Sequence, residues 1–246
     1  MKRPTGLIII FVIVACFILG VLNVLLQSRS DDGQSITPLP PTPTGELAES
    51  SVKSILIVGV DDLDSNNPEL RSVWIAVFRT PVQELYMHGI PLDIKVSAAD
   101  GTSLEDLFIL SPEGQLTDIF QNAIYQILPV QPDLIVVLDD VAFATLVDFL
   151  GGVNIDGAPL DGQGILDTLR LFSDDSESLL RNQENILRLM VPLILAQPES
   201  PELTVLMDLI PRHVYLSRDA SEAIAFIYPL RSLYSDSIFF ILVDTE

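Results

Sequence analysis

Basic residues are scarce in this chain. Thirteen lysines and arginines stand against 34 aspartates and glutamates, for a formal net charge of -21 at pH 7. Nucleic-acid binding needs a basic face that displaces counterions from phosphates, so this charge balance excludes that class. Cysteine is nearly missing as well. The single Cys16 permits no intrachain disulfide, and a domain of this size folds without one. His88 and His213 are the two histidines, and neither has further ligands close in sequence, which argues against a zinc site. No Gly-x-Ser-x-Gly elbow, P-loop or dinucleotide fingerprint occurs. Internal repeats and heptad runs are absent too.

Apolar side chains are abundant, at 48% of residues. The longest run, Leu7 to Leu26, carries no charge. A helix of about 20 such residues crosses a hydrocarbon core of roughly 30 Å. Lys2 and Arg3 precede the run and Asp31 and Asp32 follow it. The positive end favours the cytoplasm, so a single-pass anchor over residues 1–27 is expected, with the remainder extracytoplasmic. A cleaved signal would have a shorter core and a small-residue cleavage site, and Gln27-Ser28-Arg29-Ser30 supplies none. Ile13-Val14-Ala15-Cys16 resembles a lipobox, the competing reading, but the apolar run continues for ten residues past Cys16. Residues 28–50 include Pro38-Leu39-Pro40-Pro41-Thr42-Pro43 and hold too few apolar groups to pack, so they read as an extended linker.

Residues 51–246 read as one globular domain. Ser54–Val60 and Asp133–Leu138 are continuous β-branched runs, the pattern of strands buried on both faces. Ser72–Phe78, Leu85–Ile90 and Ser237–Val243 are further strands, and Thr80-Pro81-Val82-Gln83 suits a hairpin turn. Helical spacing marks Leu116–Leu128, Val141–Leu150, Asp161–Leu171, Glu177–Leu195 and Ala220–Leu230. Interleaved strands and helices predict an α/β domain of α-β-α layers around a central mixed sheet, preceded by the transmembrane helix.

The order of short motifs resembles the LytR-CpsA-Psr family of envelope proteins. Ile55-Leu56-Ile57-Val58-Gly59-Val60-Asp61 resembles its first strand ending in G-x-D. Arg71-Ser72 resembles the start of R-S-D-T, and Gly89-Ile90-Pro91-Leu92-Asp93 resembles S-I-P-R-D. Val147-Asp148-Phe149-Leu150-Gly151-Gly152-Val153 resembles L-V-D-x-L-G-G-V. Leu160-Asp161-Gly162 with Leu169-Arg170 resembles L-D-G and V-R-S-R, and Arg181-Asn182-Gln183 resembles R-Q-Q. The resemblance spans most of residues 54–231 and implies a phosphotransferase that moves a glycopolymer from a polyprenyl pyrophosphate to the cell wall. It implies arginines on the pyrophosphate, here Arg71, Arg170 and Arg181, whose planar forks match phosphate oxygens. It implies aspartates at the reacting centre, here Asp61 and Asp93, with Asp61 on a Mg²⁺ ion.

Several family positions have lost their charge. Val73 stands for the aspartate of R-S-D, Leu92 for the arginine of P-R-D, Phe172 for the second arginine of R-S-R, and Ser178 for the arginine before R-Q-Q. Each lost arginine–phosphate contact forfeits roughly 1.5–3 kcal/mol. The losses run toward apolar side chains, so Leu92, Val73 and Phe172 are expected to extend a lipid pocket. The expected protein is then an envelope ectodomain with a degraded transferase centre. Its partners would be a polyprenyl-linked lipid or other amphiphile, or an active relative that it scaffolds. The blander alternative for Arg170 and Arg181 is ion pairing with neighbours such as Asp167 or Glu184, and Asp139-Asp140 reads simply as the cap of the following helix.

Overall fold

The computed structural model describes residues 52–96, 101–111, 113–196, 210–219, 222–223 and 233–244. The expected anchor and linker, and most of the helix expected over 220–230, lie outside these residues. Among the described residues no helix is long and apolar enough to cross a membrane.

Strands β1 (Val52–Val60), β2 (Leu70–Arg79), β3 (Glu84–Gly89), β4 (Leu134–Asp139), β7 (Val214–Leu216) and β8 (Ile238–Leu242) form one sheet in the order β7-β4-β1-β2-β3-β8. The β1-β2-β3 meander is antiparallel, while β4 joins β1 and β8 joins β3 in parallel. The sheet is therefore mixed, as expected. Side chains of a strand alternate between faces. On β1, Ile55 and Ile57 enter one apolar cluster, and Leu56 and Val58 enter another. Burial on both faces is why this segment reads as an unbroken apolar run.

Helix α1 (Asp118–Ile127) covers one face with Phe120, Ala123 and Ile124, together with Ile90, Leu92, Ile94, Leu104 and Leu116. Helices α2 (Asp140–Phe149), α3 (Gly162–Arg170) and α4 (Ser176–Ala196) cover the other through Val147, Ile165, Leu180 and Met190. Asp139 caps α2 by accepting from the Ala142 N–H at 2.9 Å. A short hairpin, β5 (Val153–Ile155) and β6 (Ala158–Leu160), joins α2 to α3. Its loop, Asp156-Gly157, has φ of 52° and 87°, positive at both central positions as a tight hairpin turn requires. A one-turn helix, α5 (Ile210–His213), leads into β7.

The Gly-Gly and Asp-Gly motifs form a joint between α2 and α3. Asp148 on α2 accepts from the Gly162 N–H at 2.6 Å, and Asp161 caps α3 through the Gly164 N–H at 2.8 Å. A Cβ at Gly162 would collide with the Ala144 backbone, so only glycine lets the helices approach this closely. The antiparallel pair sets the end of α3, with Arg170, beside the start of α2, with Asp140. Asp148→Ala is expected to cost about 1 kcal/mol through loss of the cap. Gly162→Ala is expected to cost about 1–3 kcal/mol through overpacking. Urea unfolding curves check both, as a lowered midpoint at unchanged slope.

Candidate site at the end of an apolar cavity

One residue breaks the β1–β2 register. Gly59 pairs with Ser72 but Val60 pairs with Leu70, which leaves Arg71 unpaired. Such a bulge re-aims side chains. Leu70 and Val73 are buried in the cluster under α1, whereas Arg71 and Ser72 both line the opposite face. Gly59 leaves room for the Ser72 hydroxyl, which a Cβ there would displace.

On that opposite face lies a cavity of about 170 Å³ between the sheet and helices α2 to α4, room for roughly a dozen water-sized spheres. Its walls are apolar, with Ile57, Trp74, Met87, Phe143, Leu187 and Met190 among them. It follows β1 from Ile55 to Val60, about 17 Å at the rise of a strand. Polar groups gather at the Val60 end, where Arg71, Asp139, Asp140 and Gln183 contribute to the lining. Gln183 ties α4 to β2 there. It accepts from Trp74 Nε1 at 3.2 Å and donates to the Arg71 carbonyl at 2.9 Å.

The charges at this end are paired already. Arg170 reaches Asp140 at 3.1 Å and Asp167 at 2.9 Å, and Arg71 reaches Glu69 at 3.0 Å. Arg71 Nε is buried and has no hydrogen-bond partner among the described residues. The Asp140 carboxyl is pushed above its ordinary pKa by burial, against the pull of Arg170 and Arg71 and with added repulsion from Asp61. Asp61 also closes its own loop, accepting from the Glu69 N–H at 2.6 Å.

The structure therefore brings Asp61, Arg71 and Arg170 together and leaves other expected site residues elsewhere. Arg181 lies on the solvent side of α4, its side chain 63% exposed and paired with Glu177. Asp93 is exposed on another surface, beside Lys95 and Gln126. Val73 and Leu92 are buried in the α1-side cluster, and Phe172 packs against it, so none of the three lines the cavity. Val73 follows the regular alternation of β2 with Ile75 and Val77, while the bulge before Ser72 puts Arg71 on the opposite face from it. Leu92 follows the Ile90 segment onto the α1 side, where its N–H donates to Ser176 Oγ at 2.8 Å. The turn after α3 carries Phe172 across to that side. Sequence reasoning missed Asp140 and Gln183 as site residues and Trp74 as cavity wall. It also missed the contact of fully buried Asp139 with His213 Nδ1 at 2.7 Å. Nothing in local spacing signals that long-range pair.

Among the described residues no group of three or more His, Cys, Asp or Glu side chains is placed to hold a metal ion. Asp61 is engaged by its loop and Asp140 by Arg170. These residues do not fit a resident Mg²⁺, which would depend on oxygens brought by a ligand.

No protein-family model matches the sequence, and no curated protein matches it. Solved structures do match. TagV of B. subtilis aligns with a TM-score of 0.60 at 18% identity, over 78% of this chain and 84% of its own. TagT bound to LIIa-WTA aligns with a TM-score of 0.60 at 14% identity, over 87% and 85%. The protein gbs0355 from Streptococcus agalactiae aligns with a TM-score of 0.59 at 15% identity, over 78% and 76%. TagV and TagT are LytR-CpsA-Psr proteins, so the resemblance read from motif order is shown at the level of fold.

The raised pKa of Asp140 has a stability consequence. The folded chain holds this proton more tightly than the unfolded chain, so the carboxyl favours folding at low pH and loses that contribution as pH rises through the raised value. Asp140→Asn does not titrate. Its stability relative to wild type is expected to improve as pH rises above the ordinary carboxylate value of about 4, then level off. Urea midpoints across pH read this directly, and a pH-independent difference would contradict it.

Proposed function

We propose that this chain is a membrane-tethered, extracytoplasmic LytR-CpsA-Psr-like protein of the cell envelope that holds an amphiphile, with a transfer centre too depleted to move glycopolymers in the family manner. The observation that carries the reading is the cavity itself. Its apolar length ends at Arg71 and Asp140, while Arg181 points to solvent and Asp93 sits on another surface. The resemblance supplies the envelope setting and a prenyl chain as one candidate tail. The apolar run Leu7–Leu26 and the linker of residues 28–50 supply the tether. Binding follows from ordinary physics. Burying a chain in this cavity gains about 25 cal/mol per Å² of apolar surface, and Arg71 Nε offers a charge-assisted donor to a headgroup oxygen.

A second reading keeps phosphoryl transfer. Asp61, Arg71 and Arg170 do meet at the cavity end, and a polyprenyl pyrophosphate bringing Mg²⁺ would add oxygens that the protein lacks. Turnover separates the two. Incubation with polyprenyl pyrophosphate and Mg²⁺ is expected to release no phosphate above buffer. Robust release that Asp61→Ala abolishes would establish the transferase instead.

Occupancy has a built-in reporter, because Trp74 is the only tryptophan of the chain and lines the cavity. A single-chain amphiphile with a brominated tail is expected to quench its fluorescence. Ala76 also lines the cavity, and Ala76→Phe, which grows a ring into that space, is expected to weaken the quenching at least tenfold in concentration. Quenching that Ala76→Phe leaves intact would place the tail elsewhere.

A further inference from the structure

The cavity end carries more acid than base. Arg170 pairs with Asp140 and Asp167 and Arg71 with Glu69, Asp61 lies against Asp140, and Asp139, in contact with His213, also lines this end, two guanidinium groups among five carboxylates. An anionic headgroup arriving here meets guanidinium groups that are already compensated and carboxylates that repel it. Yet one group still lacks an acceptor, the buried Nε of Arg71. The unfilled needs at this end are thus an oxygen for Arg71 and a cation for the surplus carboxylates.

We infer that the cavity takes a zwitterionic amphiphile, its chain in the apolar length and a phosphate beside an ammonium at the polar end, and that Asp140 sets this preference. The inference rests on the reading of the cavity as an amphiphile site. Arg71 lines the polar end and its enclosed Nε lacks an acceptor, so a phosphate oxygen arriving there, with a turn of the guanidinium toward it, supplies one and removes the cost of a buried unsatisfied donor. The ammonium sits against Asp140, which lines the cavity and whose side chain is only 17% exposed. Asp61 is near enough to repel Asp140, so a ligand cation relieves both carboxylates. Val141 and Leu171, next in sequence to Asp140 and Arg170, are exposed apolar side chains.

The test uses the full chain in a lipid-free peptide belt, with a nonionic alkyl maltoside carrying a brominated chain as reporter of Trp74 quenching. Dodecylphosphocholine and dodecyl phosphate, matched in chain length, compete for the cavity below their micelle concentrations. In the wild-type protein the phosphocholine is expected to displace the reporter at a concentration at least tenfold lower than dodecyl phosphate. Asp140→Asn is expected to narrow that ratio several-fold while still taking up the reporter. Asp118→Asn removes the same charge from the exposed start of α1, on the other face of the sheet, and is expected to leave the ratio unchanged. Equal displacement by the two competitors in wild type, or an unaltered ratio in an Asp140→Asn protein that binds the reporter, overturns the inference and leaves the amphiphile reading standing. If the reporter does not quench wild-type Trp74, both fail.

Discussion

The site depends on one unpaired residue in a sheet. Where β2 enters beside β1, Arg71 has no partner, and the register resumes one residue later. Without that slip, strand alternation would send Arg71 toward α1 and Leu70 toward α2 to α4. With it, Arg71 and Ser72 share the cavity side and Leu70 joins the buried cluster with Val73. The slip is held at several points. Gly59 leaves room for Ser72, Gln183 clasps the Arg71 carbonyl, and Asp61 grips the backbone of Glu69 just before β2 begins. A local backbone irregularity thus decides which side chains face the cavity, while the sheet around it stays regular.

The α2–α3 joint is the second support. Gly162 and the Asp148 cap set how closely the two helices approach. That closeness brings Arg170 within reach of Asp140. Residues that look like a functional motif in sequence therefore act here as packing elements, and the charged pair they position is the part with chemistry. A surplus of carboxylates at a cavity opening is costly in itself, since burial disfavours the charged form of Asp140. The fold tolerates it because Arg170 and Arg71 are close by.

Much of the fold was legible in the sequence because the central strands are buried on both sides and so lack polar interruptions. The cap of α2 was legible too, since Asp139 precedes the helical periodicity, whereas Asp161, read as the first helical residue, is the cap of α3. The β5–β6 hairpin went unread although Asp156-Gly157 announces it, because each strand has only three residues and little periodicity to notice. Strand β7 is equally short. The site was read less well. Motif position promised roles for Arg181 and Asp93, but helical spacing places Arg181 in the polar stripe with Glu177, Glu184 and Arg188. That stripe was visible at four-residue intervals and was outweighed by the motif. The opposite faces of Arg71 and Val73, and the side taken by Phe172, were not readable, because a bulge and a turn shift parity without changing composition. Asp140 looked like half of a helix cap, and only its approach to Arg170, thirty residues away, shows its second role.

Strand β8 closes the cavity from the far end of the chain. Ile238 and Phe240 belong to its lining, and the strand pairs in parallel with β3, about 150 residues earlier. Chains are made from the amino terminus, so most of the apolar wall exists before its last panel is synthesised. Until then Leu85 and Met87 on β3 have an open edge beside them, a template for wrong pairing. A nascent chain stalled just before Ile238 would therefore expose a greasy trough in place of a closed container.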